Sequence, residues 1–339
     1  MYKNKLFVKF VVSLTVIFIL CIMLINYKID RYKIFSSNYN NLRYEPNQNF
    51  IKIKYIMNNK NKYDSFIFGS SRVGKINPLK IENGKYYNMT YSEGLPREHY
   101  QNIKFLINND VKIKNILIGL DDFSYKVNPE KHYSEPMRKM HYLVSGSNIL
   151  NFYINYLLVE PKISALKNGN LNYDIYNTGM PITPKSIDIF IEQNREAHNK
   201  DIKFKMPTFY KENNLINETI EDIKNIISIC KENNINLIFF INPIHKTTYL
   251  YNNLDNLNNF KKRLSQITNY YDFAIINSLT TNNYNFYETS HYRELVGDII
   301  LDTIYNNSTE YGLLVTKDNI DNYIEVLVEE SNNKKSRRQ

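Results

Sequence analysis

Residues 64–72 read Asp-Ser-Phe-Ile-Phe-Gly-Ser-Ser-Arg, and this stretch decides the predicted fold. The apolar run before Gly69 is typical of a buried strand, and the glycine and two serines after it are typical of a tight turn. Such a turn presents Ser71 at the end of the strand. In open α/β sheets, ligands bind beyond the carboxyl ends of the strands. We therefore expect Ser71 to lie at a binding cleft.

Strand and helix patterns alternate along the rest of the chain. Apolar runs predict buried parallel strands at residues 65–68, 85–89, 115–120 and 236–241. Amphipathic patterns predict crossover helices at residues 96–107, 218–232 and 292–305. This order predicts an α/β fold: a three-layer, doubly wound (flavodoxin-like) and mostly parallel sheet. Gly94, Asp121 and His245 follow predicted strands, so we expect them at the same cleft as Ser71.

An apolar segment lies near the N-terminus, at residues 6–26. Its length of about 20 residues, or about 30 Å as a helix, is enough to cross a bilayer. A cleaved signal peptide is the alternative, but the bulky and charged residues 25–28 offer no small-x-small cleavage site. We therefore interpret the segment as an uncleaved transmembrane signal-anchor. Basic residues flank it on both sides, so the charges do not fix its orientation.

The remaining chain divides by composition. Residues 1–5 are a short tail, residues 27–60 a polar stalk with a short helix near 49–59, and residues 61–330 the main domain. The proline-rich stretch 128–210 interrupts the strand and helix pattern, which predicts an insertion that forms a cap over the cleft and selects the substrate. A short strand and a helix near 319–329 are expected after residue 308. Residues 331–339 are expected to be a disordered basic tail.

Composition excludes several classes of function. The formal net charge of +9 is dispersed among acidic residues, so we expect no nucleic-acid partner and only weak attraction to acidic envelope polymers. Cys21 and Cys230 do not predict a disulfide, and the histidines lack the spacing of metal ligands, so we expect neither a metal nor a cofactor. The residues around Gly69 also lack the Gly-Lys-Ser/Thr signature of a phosphate loop.

A second segment, residues 286–292, reads Phe-Tyr-Glu-Thr-Ser-His-Tyr. Glu288 precedes His291 by three residues, so its carboxylate can orient and stabilise an imidazole. With Ser71, these residues supply a nucleophile, a base and an orienting acid. Structural alternatives remain open at this stage. Ser71 also suits a helix N-cap, and a Glu and a His three residues apart also suit a surface pair on a helix.

The two segments together resemble the SGNH (GDSL-like) hydrolase and acyltransferase superfamily. The Gly-Ser-Ser sequence is similar to its membrane-anchored branch, which includes the teichoic-acid D-alanylation protein and relatives of the alginate O-acetyltransferases. Two further blocks lie in the family order, at residues 88–94 and 116–122, so the resemblance covers roughly residues 60 to 306. It implies catalysis by Ser71, His291 and Glu288, with an oxyanion hole formed by the N–H groups of Ser71 and Gly94.

Asp121 occupies the position of the family's third oxyanion-hole donor, an asparagine. An ionised carboxylate accepts hydrogen bonds but donates none, and the loss of one donor typically costs about 10²–10³ in rate. Two further residues near the predicted cleft, Arg72 and His245, each have two possible roles. Arg72 either binds an anionic substrate or forms a structural salt bridge, and His245 either contacts substrate at the cleft rim or stabilises a turn.

The resemblance implies a membrane-anchored serine acyltransferase or esterase that acts through an acyl-serine on an envelope glycan or polymer. The domain after the span would then be extracytoplasmic, and a membrane-bound O-acyltransferase partner would hand over the acyl group. Transfer and hydrolysis both remain open. The alternative is a catalytically impaired binding or scaffold subunit of a polysaccharide modification or export complex, with Asp121 as the cause of the impairment.

Overall fold

The computed structural model describes residues 2–167, 169, 171–211, 213–306 and 308–336. The strands are β1 (Ser65–Phe68), β2 (Tyr86–Asn88), β3 (Asn115–Leu120), β4 (Asn172–Tyr173), β5 (Pro181–Ile182), β6 (Asn236–Ile241), β7 (Tyr270–Asp272) and β8 (Leu313–Val315). The helices are α1 (Tyr2–Ile29), α2 (Gln48–Asn58), α3 (Pro96–Asn108), α4 (Glu130–Ser134), α5 (Tyr142–Ser145), α6 (Ile149–Leu157), α7 (Lys185–Gln193), α8 (Arg195–Asn199), α9 (Ile216–Glu232), α10 (Lys246–Tyr251), α11 (Leu254–Ser265), α12 (Ser278–Thr281), α13 (Glu294–Asn306) and α14 (Ile320–Ser336). Short 3₁₀ turns lie at Ser71–Lys75, Pro78–Lys80, Ile163–Leu166, Ile202–Lys205 and Asn283–Asn285.

The centre of the fold is a mostly parallel sheet with the strand order β2-β1-β3-β6-β7-β8 in the described part of the chain. Neighbouring strands from β2 to β7 pair in parallel, and β8 joins the edge antiparallel to β7. β1, β3 and β6 have the predicted bounds, and β2 is shorter by one residue at each end. The α/β class is therefore confirmed, with β1 inside the sheet between β2 and β3.

Apolar side chains cover both faces of this sheet. Successive side chains of a strand point to opposite faces. Accordingly, Phe66 and Phe68 of β1 join one buried cluster, with α3, α9, α11 and α14, while Ile67 joins a second cluster with α13. Strands buried on both faces read as continuous apolar runs, which explains why they were visible in the sequence.

The N-terminal helix α1 leaves most of its apolar side chains exposed in the described residues. Its stretch Asn4–Ile29 is long and apolar enough to cross a membrane, and a signal sequence has the same properties. At its end, the Asn26 side-chain amide donates to the carbonyl oxygens of Leu157 and Val159, at 2.8 and 2.7 Å. The last turn of α1 is thereby joined to the end of α6.

Residues 27–60 differ from the expected stalk because they pack against the domain. Ile34, Phe50 and Ile51 are buried in a third apolar cluster with Phe152 and Tyr156 of α6. The Asn47 amide donates to the carbonyl oxygens of residues 136 and 139, at 3.1 and 2.6 Å. The apolar residues of α2 were hidden in a polar composition, and their burial makes this segment part of the fold.

The segment between β3 and β6 carries α4 to α8 and the two-stranded sheet of β4 and β5, where an insertion was predicted. At the other end of the chain, β8 is the short strand expected after residue 308. The helix α14 continues to Ser336, into the segment expected to be a disordered tail. Residues 337–339 of that predicted tail lie outside the described residues.

Candidate active site

The turn after β1 presents Ser71. Gly69 has φ +150°, and a Cβ there would lie 2.4 Å from Val73 Cγ2 and 2.9 Å from the Gly119 carbonyl oxygen. Only glycine allows this close approach. Ser70 caps the 3₁₀ turn, with its Oγ accepting a hydrogen bond from the Arg72 N–H at 3.3 Å. Ser71 is the first residue of that turn and lines a cavity.

His291 and Glu288 lie beside Ser71, as the sequence predicted. Ser71 Oγ is 2.8 Å from His291 Nε2, and His291 Nδ1 is 2.5 Å from Glu288 Oε1. Because an ionised carboxylate only accepts, Nδ1 is the donor and Nε2 is free to accept the Ser71 proton. This is the connectivity of a serine, histidine and acid relay.

Backbone groups fix the Glu288 carboxylate. The N–H of Ser290 donates to its Oε2 at 2.6 Å, and the N–H of His291 donates to its Oε1 at 3.0 Å. Burial raises the pKa of Glu288. The hydrogen bond and charge of His291, together with the Ser290 N–H, lower it by more, so the pKa of Glu288 lies below its ordinary value. Glu288 is therefore ionised at neutral pH, as an orienting acid must be.

Arg72 is buried away from the cavity. Its Nη1 donates to Asp121 Oδ1 at 3.0 Å and to Asp122 Oδ1 at 2.7 Å, and its Nε donates to the Ser290 carbonyl oxygen at 2.9 Å. The guanidinium is 1% exposed. Of the two roles left open, these contacts are those of a structural salt bridge. The remaining nitrogen, Nη2, is buried without a hydrogen-bond partner in the described part of the chain, and Arg72 is not among the described residues that line the cavity.

Asp121 does not reach the cavity in the described structure. Besides Arg72, its Oδ1 accepts from the Asn242 side-chain amide at 3.1 Å. Burial raises the pKa of Asp121, although the positive charge of Arg72 opposes the shift. The Asp121 carboxylate is thus the anionic partner of a buried arginine.

Gly94 packs against the turn that carries Ser71, but its N–H is directed elsewhere. A Cβ on Gly94 would lie 2.6 Å from the Gly69 carbonyl oxygen. Its N–H donates to the Tyr91 carbonyl oxygen over a long 3.3 Å. From the same loop, the described residue that lines the cavity is Thr90. For the predicted oxyanion role, the Gly94 N–H would have to give up its weak hydrogen bond to Tyr91 and donate to the oxyanion instead.

His245 is buried, and both of its ring nitrogens have partners. Nδ1 accepts from the Thr247 N–H at 3.2 Å as the cap of α10, and Nε2 donates to Asn283 Oδ1 at 2.9 Å. Burial lowers its pKa, which agrees with this neutral tautomer. Its contacts are those of the turn-stabilising alternative, and it is not among the described residues that line the cavity.

The cavity in front of Ser71 has a volume of about 570 Å³. The insertion forms much of its wall, through β5, α7 and α8. Lys75 also reaches it; the Nζ group donates to Thr183 Oγ1 at 2.5 Å and lies 5.0 Å from the centre of the Tyr287 ring. Burial lowers the pKa of Lys75, with Asp188 and Glu294 opposing the shift.

Sequence reasoning missed several polar residues of the site, among them Glu45 and Gln48. These two belong to the segment interpreted as a stalk, and Gln48 Nε2 donates to Glu45 Oε1 at 2.8 Å. Behind them, the buried Lys52 ammonium donates to the Thr90 carbonyl oxygen. Burial lowers the pKa of Lys52 to about 7. The available signal in the sequence was the polar pair Glu45 and Gln48, followed by Lys52 one helical turn after Gln48.

Comparison with protein-family models and with curated proteins finds no match for this chain.

Proposed function

We propose that this protein is a membrane-anchored serine acyltransferase or esterase with an SGNH-like, doubly wound (flavodoxin-like) fold. The observation that carries the proposal is the continuous contact from Ser71 Oγ through His291 to Glu288, at 2.8 and 2.5 Å. The first of these contacts joins segments that are more than two hundred residues apart in the chain. A helix cap and a surface pair have no reason to meet in this way.

In the proposed first step, Ser71 Oγ attacks the carbonyl carbon of an ester while His291 Nε2 takes the hydroxyl proton. Glu288 holds the ring and stabilises the imidazolium. The tetrahedral intermediate expels the alkoxide, to which His291 returns the proton, and leaves an alcohol and acyl-Ser71. An acceptor hydroxyl or water then attacks acyl-Ser71 by the reverse route, which yields a new ester or a free acid and restores the serine.

The Ser71 N–H is the first donor to the oxyanion. As the first residue of a helical turn, Ser71 has no acceptor for this group within the turn. The Gly94 N–H is the second donor if it releases the carbonyl oxygen of Tyr91. A hole with fewer ready donors than usual is consistent with a slow or specialised enzyme, since each donor contributes about 10²–10³ in rate.

The proposed setting is the cell envelope. We take α1 as the membrane anchor, with the domain on the extracytoplasmic side. An envelope glycan or polymer is the proposed acceptor, and a membrane-bound O-acyltransferase is the proposed source of the acyl group. The insertion, which lies over the cavity, would select the acceptor.

One observation favours the alternative of a binding or scaffold subunit. Asp121 is engaged by Arg72, and the Gly94 N–H is engaged by Tyr91, so two of the family's three oxyanion donors are missing in this conformation. A protein that keeps the fold without turnover would have the same arrangement.

A fluorophosphonate probe separates the two candidates. Such a probe reacts with a serine only where a base removes its proton. We expect labelling of the full-length protein in membranes, and loss of labelling in Ser71→Ala and in His291→Ala. Folded wild-type protein that stays unlabelled by a small methyl fluorophosphonate would contradict the enzyme and support the scaffold.

A further inference from the structure

The insertion gives the cavity an apolar wall. Leu171, Ile182, Ile187 and Phe190 line it, and their side chains are 39, 49, 44 and 60% exposed. The fold therefore does not bury these residues in a core. A group of exposed apolar residues in a concave site marks a surface that a ligand covers.

The size of the cavity argues against a small acyl group. Each heavy atom of an acetyl group occupies about the volume of a water molecule, about 30 Å³, so the group fills roughly 100 Å³. The cavity measures about 570 Å³. An acetyl group on Ser71 would leave most of the apolar wall in contact with water.

The chemistry of the wall also argues against a sugar as its occupant. A sugar ring carries a hydroxyl on most of its carbons, and a buried hydroxyl without a hydrogen-bond partner is costly. The leucine, isoleucine and phenylalanine side chains of this wall offer no such partners, whereas Glu45, Gln48 and Lys75 of the same cavity do. The apolar side chains of the wall match methylene groups, each of which gains free energy when it leaves water.

We propose that this wall binds an aliphatic chain, so that the acyl group carried by Ser71 is a medium-length fatty acyl chain of roughly eight to twelve carbons. The inference rests on the proposed function and specifies its substrate class. The chain lies along α7 while its ester carbonyl lies at Ser71, and the covalent steps are those already given. The proposed anchor α1 holds the domain beside a bilayer, where such chains are concentrated.

A series of p-nitrophenyl esters from acetate to decanoate tests the inference on the full-length protein in lipid nanodiscs. We expect kcat/KM to rise about two- to fourfold for each added methylene up to octanoate, because burial of one methylene corresponds to roughly fourfold. Ser71-dependent hydrolysis that stays flat or falls beyond butyrate would overturn the inference and leave the proposed function intact.

Matched variants locate the binding surface. Phe190→Ser should lower the octanoate-to-acetate ratio of kcat/KM by at least about threefold. Leu79→Ser is the control. It removes an apolar side chain that is 74% exposed and lies on a 3₁₀ turn outside the cavity, and it should keep the wild-type ratio. An unchanged ratio in Phe190→Ser would overturn the inference.

A binding measurement separates the inference from catalysis. Ser71→Ala in nanodiscs should bind dodecanoate, but not acetate, in calorimetry, and Phe190→Ser in the same background should weaken that binding. Binding without any Ser71-dependent hydrolysis in the wild type would refute the proposed function and support the aliphatic site. The absence of dodecanoate binding would refute the site itself.

Discussion

Arg72 Nε donates a hydrogen bond to the carbonyl oxygen of Ser290 at 2.9 Å. The residue after Ser71 is therefore bonded to the residue before His291. The same guanidinium is held by Asp121 and Asp122, which follow β3. One buried side chain thus joins the end of β1, the end of β3 and the histidine loop. This contact fixes the separation between the proposed nucleophile and its base.

We expect Arg72→Met to impair both stability and turnover. Removal of one partner from a buried ion pair typically costs about 3–5 kcal/mol, because the other charges are left uncompensated. Urea unfolding should show a loss of this size. Arg72→Lys keeps the charge but not the forked geometry, and should recover part of the stability and little of the activity. A variant Arg72→Met with wild-type stability would contradict the structural role.

Glu288 and His291 are expected to act as one unit. If Glu288 only orients and stabilises the imidazolium, its removal should cost almost nothing once His291 is absent. His291→Ala and Glu288→Ala should each lower kcat strongly, and the double variant should match His291→Ala. A double-mutant cycle, with thermal melts to confirm folding, measures this coupling. Losses that multiply independently would instead show that Glu288 is not the orienting acid.

The insertion should dock onto the domain in a pH-dependent manner through His132. Its Nδ1 is 2.9 Å from Glu98 Oε1 on α3, and its Nε2 is 3.6 Å from Glu93 Oε2. Burial lowers the pKa of His132, but these two carboxylates raise it more, to about 9. A raised pKa means stability that is fully present below the ordinary value of about 6.5 and is lost as the pH rises through 9.

His132→Gln should therefore cost about 2–3 kcal/mol more at pH 7 than at pH 9.5, as measured by urea unfolding. His141→Gln is the matched control. Burial lowers the pKa of His141 to about 4, so this ring is neutral over the same range and its loss should cost the same at both pH values. An equal cost for His132→Gln at both pH values would show that this ring is not charged in the native state.

The packing of residues 30–58 determines how far the chain can be shortened from its N-terminus and still fold. The Asp30 carboxylate accepts from the backbone N–H groups of Ile34 and Ser36, at 2.8 and 2.6 Å, and α2 contributes buried Ile53 to the main cluster. A chain that starts at Ile29 should fold and stay in the supernatant of alkaline carbonate extraction. The full-length chain should stay in the membrane pellet, and a chain that starts at Lys60 should not fold. A folded, active chain that starts at Lys60 would contradict the finding that residues 27–60 are part of the folded domain.

The sequence predicted the parts of the fold and site that depend on local pattern. The strand Ser65–Phe68 and the pair Glu288 and His291 are each encoded within a few neighbouring residues. By contrast, the packing of Phe50 on α6 and the position of Glu45 at the cavity depend on contacts across about a hundred residues, which no local periodicity records. A structural salt bridge was one of the two roles expected for Arg72, but its partner Asp121 was hidden, because an arginine after a serine suits a surface as well as a core.

The turnover of Ser71→Ala on p-nitrophenyl acetate tests the central claim most directly. The account predicts that kcat falls by about 10³-fold or more, while the melting temperature stays close to that of the wild type. Ser70→Ala removes the neighbouring hydroxyl, which caps the turn, and should have a much milder effect on kcat. A folded Ser71→Ala variant that keeps more than about a tenth of the wild-type activity would contradict the assignment of Ser71 as the nucleophile.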